Sequence, residues 1–396
     1  MTSETTIHSD LRGDAPSPWA RRRRLGISLC LAAVAVAAGA AQTASASIAP
    51  DRFARVDLIA NNVKSGAKLV DPNLTNAWGL AAGPNQPLWV SDNNSGKASV
   101  YSGGVSGSPV SLDLTVAVPG GNPTGQVFNP TLALAPSKRA FKVQGIPASF
   151  IVSTDSIGHS QSPGEIAAWN GGTSFVVEDS PTGGPGGKTR PGAVFKGLAV
   201  SAIASAGPEL FASDVAHTSV DIFDSSFSPV YAPGTFRDAK IPAGYAPFGI
   251  QVLAGTVYVA YGKQNATKTD VVPGSGLGYV DSYSLNGHLI KHLISGGSGS
   301  PLNEPWGLAL APAGFGPFSG ALLVGNLGNG WINAFNPSTG TYLGYLRNSL
   351  GSPIIIGGLW GLRPGSPAFG GSGSLVFSAG PGAYANGVVG TLIPHR

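Results

Sequence analysis

The stretch that decides the fold runs from Pro72 to Ser102 and reads PNLTNAWGLAAGPNQPLWVSDNNSGKASVYS. Its short apolar runs are separated by Gly, Pro and Asn, a pattern typical of strands joined by tight turns. It predicts strands around Trp78, at 88–91 and at 98–102. Weaker copies of this unit follow along the chain, so the unit is a repeat.

Aligned glycines give the period of the repeat. Gly197, Gly249, Gly307 and Gly361 are each about fifty residues apart, and Gly79 lies two such steps before Gly197. A period of this length is typical of the four-stranded blades of a β-propeller. The inner strand of the second blade is expected at 131–135. The sequence therefore predicts six blades.

The two ends of the chain are expected to meet in one blade. Residues 53–61 (FARVDLIAN) alternate apolar and polar side chains but have no partner strand nearby, and the sixth repeat lacks an outer strand. Pairing the two hides two sheet edges that would otherwise promote aggregation. The predicted fold is an all-β, six-bladed β-propeller, closed by the N-terminal strand completing the last blade, in one domain over 53–396.

Composition agrees with this fold and limits the chemistry. The 396 residues include 58 glycines and 32 prolines, and charged residues make up 11%, less than half the usual share. Cys30 is the one cysteine, so no disulfide is expected. A fold of this kind must be stabilised by its core and its closed topology.

The first 46 residues are predicted to be a signal peptide. Arg21 to Arg24 precede a largely apolar run, 25–41, and a Thr-Ala-Ser-Ala sequence follows as a cleavage site. Residues 47–52 are a short linker, and the protein is expected to be secreted. The alternative is that 25–41 remains as a membrane anchor, since it approaches the length needed to span a bilayer.

Charge argues against nucleic-acid binding. Of the 24 basic and 20 acidic residues, five and three lie within 1–46, which leaves a net charge of +2. The remaining sequence has no basic cluster that would follow a phosphate backbone. The expected partner is an extracellular ligand, glycan or protein, with no nucleic acid, no membrane after cleavage and a monomeric state.

Several of these elements resemble a family of uncharacterised, secreted bacterial NHL-like β-propeller proteins. The elements are DPNLTNAWGLA (71–81), LWVSDNNSG (88–96), YAPFGIQ (245–251), the long segment 304–340 that begins EPWGLALAPAG, and GLWGLRPG (358–365). The similarity covers roughly 52–394 and keeps the order of the elements. It implies the propeller fold and no particular reaction. Ala77 replaces the usual proline of the first element.

Candidate site residues come from propeller geometry. The start of each inner strand and the loop after each second strand open on one face, around the central channel. Carboxylates converging there need a cation or hydrogen-bond donors to offset their repulsion, and an oxygen-only ligand set favours calcium. The candidate metal ligands are Asn76, Asp92, Asp155, Asp214, Glu304 and Asn326.

The favoured alternative is that the aspartates have a structural role. Asp and Asn after a strand commonly cap the following turn through backbone amides. Asn76 and Glu304 each lie two residues before a Trp-Gly-Leu sequence, where no turn demands them, so they are better site candidates. His159 and His217 lie in loops of the same face and are possible bases, but no nucleophile motif accompanies either.

The aromatic residues before the aligned glycines also have two interpretations. Trp78, Trp306 and Trp360 occupy matching positions in three blades, with Phe248 in a fourth. They either line the channel as a ligand site or, as the favoured interpretation has it, pack between blades.

Two functions follow from these features. The first is a binding module that holds a ligand or partner on one propeller face, favoured by low charge and the missing catalytic motif. The alternative is an extracellular metal-dependent hydrolase or lyase of lactonase type, with a divalent ion at the channel mouth held by Glu304, Asn76 and some of the aspartates. Fold alone does not choose between them.

Overall fold

The structure is a computed structural model that describes residues 51–155, 164–177, 192–204 and 206–395. These residues form an all-β propeller of six blades arranged around a central channel, as predicted. The predicted signal peptide, 1–46, and most of the predicted linker lie outside the described residues. Among the described residues, no helix has both the length and the apolarity to cross a membrane.

The strands follow one another blade by blade along the chain. The N-terminal strands are β1 (Phe53–Ala60) and β2 (Leu69–Val70). Blade one contains β3 (Ala77–Ala81), β4 (Leu88–Asp92), β5 (Lys97–Gly103) and β6 (Val110–Ala117). Blade two contains β7 (Pro123–Phe128), a separate hairpin of β8 (Lys142–Val143) and β9 (Ile146–Pro147), then β10 (Phe150–Thr154), β11 (Ile166–Trp169) and β12 (Val176–Val177).

The second half of the chain repeats the arrangement. Blade three contains β13 (Phe195–Ala204), β14 (Gly207–Asp214), β15 (Ser219–Phe223) and β16 (Pro229–Val230). Blade four contains β17 (Tyr245–Leu253), β18 (Thr256–Lys263), β19 (Tyr279–Tyr283) and β20 (Leu289–Ile294). Blade five contains β21 (Pro305–Leu310), β22 (Leu322–Asn326), β23 (Ile332–Phe335) and β24 (Tyr342–Tyr345). Blade six contains β25 (Leu359–Pro364), β26 (Leu375–Ala379) and β27 (Val388–Pro394).

Helical structure in the described residues is confined to short 3₁₀ turns. They are Val63–Ser65, Asn93–Ser95, Pro130–Ala133, Pro136–Lys138 and Gly316–Phe318. The predicted inner strand at 131–135 is wrong, because that segment forms part of these turns. The inner strand of blade two is β7 instead, where Thr124 stands in place of the aromatic residue found in blades one, four, five and six.

The N-terminal strand closes the ring, as predicted. β1 pairs antiparallel with β27, from Phe53 opposite Pro394 to Ala60 opposite Val388, and β2 then adds in parallel at the outer edge. Phe53 is buried and its ring lies 4.6 Å from that of Phe315 in blade five. The first strand is therefore part of the last blade and of its interface with the neighbouring one.

The aligned glycines allow the inner strands to approach one another. A Cβ on Gly249 would lie 2.0 Å from the carbonyl oxygen of Trp306 in the next blade, and a Cβ on Gly307 would lie 2.4 Å from that of Trp360. The same contact joins Gly361 to Trp78, which completes the circle. No side chain fits at these distances, which explains why glycine recurs at this position.

Candidate functional site

The aromatic residues before the aligned glycines fill the channel. The rings of Trp78 and Trp360 are stacked 3.4 Å apart, and Trp306 meets Trp78 edge-on at 5.9 Å. Phe248 lies 6.0 Å from Trp360, and all four side chains are buried. These rings come from different blades and pack against one another at the centre of the propeller, as the favoured interpretation expected, and together they close the channel.

Lys196 occupies the same inner-strand position in blade three and is buried against this aromatic cluster. Its Nζ lies 2.9 Å from Asp155 Oδ2, 3.3 Å from Asp270 Oδ2 and 5.1 Å from the centre of the Trp78 ring. Burial acts to lower the pKa of the Lys196 ammonium, but Asp155 and Asp270 raise it above its ordinary value. Lys196 is thus a fixed cation at the end of the channel where the inner strands begin.

Glu304 lies at the same end, immediately before β21. Its backbone is left-handed, with φ of 57°, and its side chain is 5% exposed. In the described part of the chain, its carboxyl makes no hydrogen bond. Burial, followed by the negative charge of Asp270, raises the pKa of Glu304 to about 8, against a smaller opposing effect of Lys196. At neutral pH this carboxyl is largely protonated.

Asn76 occupies the equivalent position of blade one and is also left-handed, with φ of 51°. Its Oδ1 accepts a hydrogen bond from Trp360 Nε1 at 2.9 Å, and its Nδ2 donates to the Oδ1 atoms of Asn93 and Asn94. Tyr384 lies close by, with its ring 5.8 Å from Trp360. We call the group Asn76, Asp155, Lys196, Asp270 and Glu304 the Glu304 mouth.

Three of the six predicted ligands have their side chains engaged elsewhere. Ser99 Oγ donates to Asp92 Oδ2 at 2.5 Å, and the charged neighbours of Asp92 are Asp71 and Lys97. Asp92 does not cap the following turn. Burial, then Asp71, raises its pKa well above the ordinary value, against the hydrogen bond from Ser99 and the charge of Lys97.

The side chains of Asp214 and Asn326 are hydrogen-bonded to neighbouring loops. Asp214 accepts from the backbone amides of Val194 and His217, as a turn cap does, and its Oδ2 lies 2.6 Å from His217 Nδ1. Asn326 donates to the carbonyl of Pro301 at 2.8 Å. The structure thus brings Asn76, Asp155 and Glu304 to the mouth. Lys196 lies there between the carboxylates of Asp155 and Asp270. His159 lies outside the described residues.

Lys196 and Asp270 are not among the site residues predicted from the sequence. Lys196 directly precedes Gly197, so alignment with Trp78 and Trp306 would have placed it in the channel. Asp270 lies in the long connection between β18 and β19, where no periodic pattern indicates a position. It reaches the mouth because the neighbouring Val271 packs with the channel aromatics.

The opposite end of the channel, where the inner strands finish, is a cavity of about 280 Å³ that we call the Arg363 funnel. Its walls are mostly apolar and include Leu80, Val127, Val200, Val252, Leu308 and Leu362. Arg363 is the one charged residue among those lining it. In the described part of the chain its guanidinium has no hydrogen bond or ion pair, and burial lowers the pKa of Arg363 to about 10.

Two glutamines add polar groups to this funnel. Gln126 accepts from Ser91 through Oε1, and its buried Nε2 has no hydrogen-bond partner within the described residues. Gln251 also lines the cavity. The funnel therefore presents a partly desolvated cation and two amide-bearing residues among apolar side chains, an arrangement that suits a carboxylate with an apolar body.

Proteins similar to this chain in sequence include two uncharacterised viral proteins. No family model matches the sequence. The chain is 29% identical over 346 residues to uncharacterized protein R648 of Acanthamoeba polyphaga mimivirus, covering 85% of this chain and 80% of that protein. It is 28% identical over 349 residues to uncharacterized protein L690 of the same virus, covering 86% of each.

Solved structures with a similar backbone include enzymes. The chain is similar to XC5397 from Xanthomonas campestris, described as a gluconolactonase, with a TM-score of 0.46, 15% identity and coverage of 81% of this chain and 86% of that one. It is also similar to the soluble aldose sugar dehydrogenase of Escherichia coli, with a TM-score of 0.47, 12% identity and coverage of 82% and 97%. Likeness at this level carries no inference about a reaction.

Proposed function

We propose that the protein is an exported binding propeller that holds a small amphipathic carboxylate in the Arg363 funnel. The observation that supports this most directly is the guanidinium of Arg363, which is partly buried, has no hydrogen bond or ion pair in the described part of the chain, and is the single charged group lining the cavity. Export is expected from residues 1–46. The protein would then be the predicted binding module, with the Arg363 funnel as its binding face and an amphipathic carboxylate as its ligand.

A partly buried arginine without a partner loses some of its hydration and gains no counter-charge. A bound carboxylate offsets that cost with two parallel N–H···O bonds, the geometry that guanidinium favours. Gln126 and Gln251 are the polar uncharged residues lining the same cavity. The apolar walls then cover the body of the ligand, which adds hydrophobic stabilisation roughly in proportion to the area buried.

The proposal is tested by calorimetric titration with octanoate. We expect saturable 1:1 binding, with octanol, which has the same chain but no charge, binding at least about tenfold more weakly. Arg363→Met should weaken octanoate binding by about 10- to 100-fold and leave octanol unchanged. Arg237→Met, which removes an exposed arginine, is the matched control. Equal octanoate affinity in the wild type and Arg363→Met would refute the proposal.

A second candidate function is the predicted metal-dependent hydrolysis at the Glu304 mouth. It is favoured by one observation, the buried Glu304 carboxyl whose pKa is raised to about 8, because a group titrating near neutrality suits proton transfer. Against a metal there, Lys196 already supplies a cation to Asp155 and Asp270. If calcium binds at this mouth, it should raise the melting temperature of the wild type but not of Glu304→Gln. No calcium effect on either would remove this candidate.

A further inference from the structure

A group of three potential metal ligands lies in blade four, away from both ends of the channel. Asp281 is on β19, His292 is on β20, and Asp238 lies in the connection that precedes β17. One ligand atom from each residue lies within 4.8 Å of the other two. His292 Nδ1 is 2.7 Å from Asp238 Oδ2 and 3.0 Å from Asp281 Oδ1.

The atoms that face away from this group are held by other residues. Asp238 Oδ1 accepts from the backbone amide of Lys240 at 2.8 Å. Asp281 Oδ2 accepts from Tyr283 Oη at 3.1 Å, and His292 Nε2 lies 3.0 Å from Ser295 Oγ. Metal ligands are typically oriented in this way, with the second nitrogen of histidine and the second oxygen of each carboxylate hydrogen-bonded to fixed partners.

One atom of the group has no hydrogen bond. Asp281 is wholly buried, and its Oδ1, which points at His292 Nδ1, has no hydrogen-bond partner in the described part of the chain. A buried carboxylate oxygen without a donor is costly. A cation between the three facing atoms would remove that cost.

We propose that Asp238, Asp281 and His292 bind one divalent transition-metal ion, of which zinc is the best fit. Imidazole nitrogen favours zinc over calcium, and two carboxylate oxygens complete three protein ligands. Tetrahedral zinc sites separate their ligand atoms by about 3.4 Å, so His292 Nδ1 needs to lie about 0.7 Å further from Asp238 Oδ2 and about 0.4 Å further from Asp281 Oδ1. The His292 side chain is partly exposed, at 12%, which gives the ion a route from solvent.

The ion would act as a structural link. It joins the connection between blades three and four to the two outer strands of blade four. No disulfide is available to the exported chain, since Cys30 is its one cysteine. Tyr261 Oη, 2.6 Å from Tyr283 Oη, extends the supporting hydrogen bonds into the blade.

The test uses the chelator-treated protein titrated with zinc chloride near pH 7.5. We expect one zinc per chain by calorimetry and by elemental analysis, and a melting temperature that rises with zinc concentration. Cobalt should give the visible absorption of a four-coordinate nitrogen and oxygen site. Calcium at the same concentration should not compete.

Variants distinguish this site from others. Asp281→Asn and His292→Gln should each weaken zinc binding by at least about 100-fold, and Ser295→Ala, which removes a positioning residue, by about tenfold. His288→Gln, an exposed histidine just before β20, is the matched control and should bind zinc as the wild type does. Asp238 lies in a connection and not in a strand, so Asp238→Asn is less disruptive to the sheet. This variant tests the site if His292→Gln fails to fold.

Two results would overturn the proposal. The first is zinc binding that is unchanged in Asp281→Asn or Asp238→Asn, which would place the ion elsewhere. The second is no saturable zinc binding to the wild type, which would show that a protonated His292 alone balances the two carboxylates.

Discussion

The indole Nε1 of Trp360 donates a 2.9 Å hydrogen bond to Asn76 Oδ1, across the junction between the last blade and the first. Both side chains are buried. The bond lies where the ring closes, and it holds Asn76 in its left-handed conformation, with φ of 51°. Closure therefore depends on a polar contact as well as on the pairing of β1 with β27.

Asn76→Ala should destabilise the fold by about 2–4 kcal/mol. The substitution leaves Trp360 Nε1 without an acceptor and puts a less tolerant residue at positive φ. Urea unfolding monitored by tryptophan fluorescence measures the loss. Asn85→Ala is the control, because Asn85 has a similar φ of 54° but is exposed. Equal losses for the two variants would mean that only the backbone conformation matters.

Phe53→Ala tests closure by the N-terminal strand. Phe53 is 1% exposed and packs on Phe315 and Phe318, so its loss leaves a cavity between blades five and six. We expect a cost of about 3–5 kcal/mol in thermal or urea unfolding. Leu350→Ala, at a side chain that is 88% exposed, should cost almost nothing. A small effect of Phe53→Ala would show that β1 contributes little to closure.

Gly249→Ala should prevent folding or destabilise the protein beyond about 4 kcal/mol. Its Cβ would lie 2.0 Å from the Trp306 carbonyl oxygen, and neither inner strand has room to move. The comparison is Gly255→Ala, where φ is 79° but no atom lies within 4 Å, so only backbone strain of about 1 kcal/mol applies. Expression as soluble protein and the unfolding midpoint separate the two cases.

Much of this fold is predictable because the propeller repeats its requirements. Gly79, Gly249 and Gly307 recur since backbone contact at the channel is the same in each blade, and a strand without a partner next to an incomplete blade predicts closure. The inner strand of blade two is harder to predict because Thr124 precedes its glycine, where four of the other inner strands have an aromatic residue.

The site was less predictable. Proximity to the channel face does not specify where a side chain points, and Asp92 turns to Ser99 while Asp155 turns to Lys196. Arg363 carries one visible signal, since it is the charged residue two places after an aligned glycine. Asp238 is brought to His292 by tertiary folding alone, and the intervening sequence has no pattern that indicates it.

The pH dependence of stability should report the state of Glu304. Its pKa is raised in the folded protein to about 8 from an ordinary value of 4.5, so the folded state keeps a proton that the unfolded state releases. Stability therefore falls as pH rises between these values, and the full penalty is present above pH 8.

Glu304→Gln removes this titration while keeping the shape of the side chain. The variant should match the wild type near pH 4 and be more stable by about 2–4 kcal/mol at pH 9, measured by urea unfolding across the range. Gln carries the same left-handed backbone, so a difference that does not change with pH would indicate a packing effect. A variant less stable than the wild type at pH 9 would contradict the raised pKa, because it would mean that the ionised carboxylate stabilises the folded state.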